Sequence, residues 1–149
     1  MLGIVIVTHG TLGEGLRNAA EVIIGAVENI AVVSLGNGDD IENLSTVVTS
    51  SIEEVNQEEG VLVFSDLIGA SPYNQSILSV SRFAESLKDD VYVVAGASLP
   101  MLLEAINHQL LHTSIHDAID KIVEAGKEGC GTWHYLQSSE NSTIEDDDF

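Results

Sequence analysis

Four short stretches of consecutive apolar residues, Ile4–Val7, Ile30–Ser34, Val61–Phe64 and Val91–Ala95, constrain this chain most. A strand with one wet face alternates apolar and polar residues, and these do not. Unbroken apolar runs suit strands covered on both faces, which is the condition of a parallel sheet between helical layers. The segments between the runs carry helical spacing instead. Thr11 with Glu14 predicts a capping box that opens a first helix, ended near Gly25. Ile41, Leu44, Val48, Ile52 and Val55 line one face of a second helix capped by Asp39 or Asp40. Ser71-Pro72 reads as an N-cap followed by proline at the first helical position, with Ile77, Val80, Phe83 and Leu87 behind it. Pro100 opens a helix to about Leu111, and Ser114 with Asp117 caps another carrying Ile115, Ile119 and Ile122.

Alternating strands and helices joined by right-handed crossovers imply a three-layer, doubly wound α/β fold with a mostly parallel four-stranded sheet. Thr132–Leu136 is a possible antiparallel edge strand, and residues 132–139 a possible edge or exchanged segment. Residues 1–131 form one folded domain, in line with a length of 149 residues. The formal charge is −19, and Glu140, Glu145, Asp146, Asp147 and Asp148 concentrate acid in a final stretch, 140–149, read as a disordered acidic tail. With 5 basic residues in all, no basic patch exists to displace counterions from phosphates, which argues against nucleic acid as a partner. Acidity favours a basic protein partner and also serves plain solubility. One cysteine, Cys130, leaves no intramolecular disulfide and no zinc-type pair. No leader and no apolar run of about 18 residues is present, so the expected location is cytoplasmic.

In an open parallel sheet, ligands gather beyond the carboxyl ends of the strands where strand order reverses. Periodicity does not reveal the order; taking it as 2-1-3-4, the reversal falls between strands one and three. His9 in "THGTLGEG" and Asp66 in "SDLIGASPYN" then face each other across one crevice. A histidine attacks phosphorus through an unprotonated nitrogen. A carboxylate that accepts the Nδ1 proton fixes that tautomer and leaves the Nε2 lone pair outward. Glycines beside His9 permit close backbone approach, and two helix N-termini aim amide protons at an anion. Each residue also has a plainer use. A histidine at a strand end is often a structural hydrogen-bonder, Asp66 is a potential loop cap, and Ser71 caps its helix whatever else its hydroxyl does.

Other patterns are incomplete. Gly10-x-x-Gly13-x-Gly15 is not the dinucleotide spacing, no P-loop occurs, and neither "GASPY" nor "GASLP" completes a serine nucleophile elbow. His108, His112 and His116 fall four apart, but Thr113-Ser114 breaks the helical face between them. Neither a metal nor a cofactor is expected.

"IVIVTHG", "DLIGASPYN" and "GASLPMLLEA", followed by "EAGKEG", resemble the IIA component of the mannose family of bacterial sugar phosphotransferase systems, in order from about residue 2 to residue 129. The resemblance implies a phosphohistidine carrier that accepts a phosphoryl group from the phosphocarrier HPr. It would pass the group to a separate IIB component, meeting the membrane only through the IIC/IID permease complex. His9 matches the phosphorylated histidine, Asp66 its carboxylate partner, and Ser71 the serine beside the phosphoryl group; Gly10 and Ala70 are read with Ser71 as phosphoryl-binding positions. Members are commonly homodimers, some exchanging a C-terminal strand. Ala70 stands where many relatives have glycine, and Tyr73 where many have phenylalanine. Two alternatives keep the chemistry and change the output: a phosphoryl donor subunit of a dihydroxyacetone kinase, or a regulatory domain read out by its phosphorylation state. The sugar is not legible, since selectivity lies in the permease.

Overall fold

The computed structural model describes residues 1–83 and 85–138. Four strands, β1 (Gly3–His9), β2 (Ile30–Leu35), β3 (Val61–Ser65) and β4 (Val91–Val94), form one parallel sheet in the order β2-β1-β3-β4. The helices are α1 (Leu12–Ile24), α2 (Ile41–Val55), α3 (Ser71–Ser81), the single turn α4 (Glu85–Lys88), α5 (Leu99–Leu111) and α6 (Ile115–Glu128). The order taken in the sequence reading is the one observed.

Side-chain alternation along each strand builds two cores. Ile4, Ile6, Leu62 and Phe64 face the layer of α1, α5 and α6. Val5, Val7, Val61 and Val63 face α2 and α3. All eight are essentially inaccessible to solvent, and burial of each such side chain is worth about 1.5–3 kcal/mol. Because both faces are covered, the central strands carry no polar alternation, which is why they stood out as unbroken runs.

Several local expectations are corrected. The capping box does not form: Thr11 occupies the N-cap position of α1 without a side-chain hydrogen bond. The amide of Gly13 donates instead to Thr8 Oγ1 at 2.9 Å, so the cap comes from the strand before the helix. Asp40, one of the two candidates, does cap α2 by accepting from the Glu42 amide at 3.0 Å. Ile41 is exposed, while Leu44, Val48, Ile52 and Val55 are buried as the spacing predicts. Ser71 is the first residue of α3 and Ala70 its N-cap. Ile77 and Leu78 point outward, and α3 buries Ser76 and Ser79 instead. The reason is a close approach to α2, where Ser79 Oγ donates to the Ser45 carbonyl at 2.8 Å and Arg82 Nη1 to Ser45 Oγ at 3.0 Å. Small polar side chains allow that spacing; isoleucine there would hold the helices apart.

The possible edge strand over Thr132–Leu136 does not form within this chain. Residues 130–134 have no regular structure, and Tyr135–Ser138 make one helical turn, α7. Trp133, Tyr135 and Leu136 are all exposed, so the segment buries no apolar face that would hold it against β4. The acidic stretch 140–149 lies outside the described residues.

Candidate active site

The direction in which strands are added to the sheet reverses at β1. The β1-α1-β2 unit runs to one side, and β3 pairs on the other with Val7 opposite Ser65. The crevice beyond the carboxyl ends of β1 and β3 is therefore the switch point of this sheet. His9 is the last residue of β1, and Asp66 follows the last residue of β3.

The two side chains meet there. His9 Nδ1 lies 2.8 Å from Asp66 Oδ2, and the His9 backbone amide donates to the same oxygen at 3.0 Å. The imidazole is 48 % exposed and the carboxylate 12 %. An ionised carboxylate only accepts, so Nδ1 carries a proton, and in the neutral ring the free lone pair is on Nε2. Burial pushes the Asp66 carboxyl up. The hydrogen bonds from the His9 ring and amide, with its own amide and the ring's charge, together outweigh that and hold it below the ordinary aspartate value. Asp66 is thus an anion over the whole range in which imidazole chemistry operates.

The turn after His9 is pinned on both sides. Gly10 adopts φ +53°, a left-handed conformation natural to glycine, and its amide donates to the Leu35 carbonyl at the end of β2, at 2.8 Å. Gly10 therefore supplies the bend and open space rather than a free donor. The loop from Asp66 to Ala70 is closed by Asn74, whose Nδ2 donates to the Gly69 carbonyl at 2.9 Å. Ala70 donates to Leu67 at 3.3 Å, and its carbonyl receives the Asn74 amide. Ser71 starts α3 at this edge of the sheet, where the first-turn amides of a helix have no intrahelical acceptor. Leu67 and Ile68 on this loop, and Leu12 at the start of α1, are exposed apolar side chains.

Sequence reasoning set His9 opposite Asp66, where the structure has them, and did not foresee the hydrogen bonds of Thr8 and Asn74. Asn74 sits in a quoted motif, but its bond to a carbonyl five residues back leaves no periodic signal. The histidines 108, 112 and 116 do not converge. His108 is buried between Glu104 and Thr113, His112 pairs with Glu59, and His116 bridges Tyr92 and Asp90. Among the described residues, no helix is long and apolar enough to cross a membrane.

The family described as PTS system fructose IIA component, EIIA-man, matches residues 3–123. The chain belongs to this family. As an EIIA-man chain it is 31% identical over 128 residues to the PTS system mannose-specific EIIAB component of Escherichia coli (strain K12). That match covers 86% of this chain and 38% of the relative, so the chain spans well under half the length of that protein. It is 27% identical over 122 residues to the PTS system fructose-specific EIIA component of Bacillus subtilis (strain 168), covering 82% of this chain and 80% of the relative. Among solved structures, phosphotransferase system component EIIA from Streptococcus agalactiae superposes with a TM-score of 0.74 at 26% identity, covering 89% of this chain and 97% of that one. Membership of the EIIA-man family and its fold are thereby established for this chain.

Proposed function

We propose that this IIA component is a phosphohistidine carrier that accepts a phosphoryl group from HPr on His9 and delivers it to a IIB component. The observation that carries the reading is the 2.8 Å contact of Nδ1 with Asp66 beneath a half-exposed ring. It leaves Nε2 basic, accessible and steadied from behind. In the transfer step the Nε2 lone pair forms a bond to phosphorus as the donor's N–P bond breaks, its electron pair returning to the donor nitrogen. Nδ1 keeps its proton, so the phosphorylated ring is a cation, and Asp66 offsets that charge. Ser71 and the free amides at the starts of α1 and α3 are the donors available to the phosphoryl oxygens. Alignment of two proteins' reactive groups supplies most of the rate.

The test is to incubate the protein with phosphoenolpyruvate, enzyme I and HPr and to measure intact mass. The wild type should take one phosphate and lose it on addition of IIB. A His9→Gln variant that folds yet still acquires a stable phosphate would refute His9 as the acceptor.

A further inference from the structure

Thr8 stands one residue before the reacting ring and is fully buried, although a hydroxyl at the end of a central strand has little to gain there. Its Oγ1 accepts the Gly13 amide at 2.9 Å, the only side-chain bond among the described residues that fastens the first turn of α1. Gly13 is shaped for this contact. A Cβ at that position would lie 3.2 Å from Thr8 Oγ1, 3.0 Å from Val32 Cγ1 and 3.1 Å from Ile6 Cγ2, so the helix could not sit as close with any larger residue unless its neighbours gave way.

The consequence is a division among the amides at the start of α1. Gly13 is engaged by Thr8, and Gly15 by the Thr11 carbonyl at 3.0 Å. Leu12 and Glu14 are left without acceptors among the described residues, at an exposed helix start three residues beyond His9. Had Thr11 capped the helix in the usual way, its side chain would have occupied that space and taken an amide from it. A cap drawn from behind keeps the front open.

We infer that Thr8 is a positioning residue for phosphoryl transfer through His9: by fastening Gly13 from the strand side, it holds the unpaired amides of Leu12 and Glu14 toward the phosphoryl oxygens. The inference rests on the carrier reading above and adds a device by which the fold prepares the oxygen-binding half of the site. Asp66 orients the ring; Thr8 orients the turn that follows it. The bond change is the one already described, from donor nitrogen to Nε2, and Thr8 exchanges no proton in it.

The experiment compares wild type, Thr8→Val and Thr8→Ser as acceptors from phosphorylated HPr, with Val48→Ala as a control that disturbs the opposite core. Thr8→Val keeps the branched shape and loses the acceptor. Its maximal transfer rate should fall roughly tenfold to a hundredfold, as for a displaced positioning group. Its KM for HPr should stay within about twofold, because the docking surface is untouched. Thr8→Ser, which keeps the acceptor, should recover most of the rate. Deuterium exchange at the Gly13 amide should quicken in Thr8→Val and not in Thr8→Ser. Val48→Ala should lose stability yet transfer at the wild-type rate per folded molecule. A Thr8→Val protein that transfers as fast as wild type, or a Thr8→Ser protein as slow as Thr8→Val, overturns the inference. Should Thr8→Val not fold, Thr8→Cys, a much weaker acceptor, takes its place and must be slow. If the wild type itself takes no phosphate from HPr, the carrier reading fails and this one with it. If it does and Thr8→Val matches it, Thr8 alone is removed.

Discussion

A single oxygen of Asp66, Oδ2, receives two hydrogen bonds from one residue, the ring Nδ1 and the backbone amide of His9, at 2.8 and 3.0 Å. The carboxylate therefore fixes both where His9 sits and how its ring is turned. Its other oxygen, Oδ1, is buried without a partner in another residue.

That asymmetry predicts the behaviour of Asp66→Asn. The asparagine carbonyl can still accept both bonds, but its amide group then replaces Oδ1 in a buried place with no acceptor. A loss of about 1–3 kcal/mol in unfolding free energy is expected for the unpaired donor. Phosphoryl transfer should slow by about a hundredfold or more, because the cationic phosphohistidine has lost its countercharge. Rapid-quench measurement of transfer from HPr separates the two effects, since a merely destabilised protein keeps its rate per folded molecule.

The depressed carboxyl of Asp66 carries a pH signature. A group that binds protons more weakly when folded contributes stability above its unfolded pKa and loses it as the pH falls through the folded one. The difference in stability between wild type and Asp66→Asn should shrink as the pH falls from about 5 to about 3, through the ordinary aspartate range. Denaturant titrations of both proteins across that interval check the sign. A difference that grows on acidification would contradict the hydrogen-bonded anion.

Gly10→Ala tests the turn alone. No atom lies within 4 Å of the position a Cβ would take, so any cost comes from the left-handed backbone at φ +53°. About 1–2 kcal/mol of destabilisation is expected. Gly10→Asn should cost less, because asparagine tolerates that conformation. Thermal unfolding of the pair gives the comparison.

Ile68 is 72 % exposed, two residues beyond Asp66. An exposed isoleucine on the loop that follows Asp66 has no structural duty, so Ile68→Asp should leave stability within about 0.5 kcal/mol of wild type. If this rim meets the protein donor, KM for HPr should rise roughly tenfold, as for an apolar interface anchor. Phosphorylation by phosphoramidate, too small to touch the rim, should be unaffected. Equal losses with both donors would place Ile68 in the chemistry instead of the docking face.

The parts of the molecule legible from sequence were those governed by burial on both faces of a sheet. The strand runs, the helical stripes of α2 and α6 and the facing of His9 and Asp66 follow from periodicity joined to one assumed strand order. What escaped was tertiary. Thr11 and Glu14 have the spacing of a capping box, yet the cap is Thr8, because a strand residue reaches the helix from outside its own sequence window. Ile77 has the periodicity of a core residue and is exposed, because α3 meets α2 through serines at a distance too short for branched side chains. The segment 132–136 has strand-forming residues and no surface on which to lay them. Local pattern names the element; only the neighbour decides which face is inside.

The engagement of Nδ1 by Asp66 limits the product as well as the reaction. If His9 carries phosphate as proposed above, this engagement leaves one regioisomer open to it, the distal one. Reagents that discriminate the two phosphohistidine isomers should therefore see a single species on this protein, and a mixture once the carboxylate behind the ring is removed.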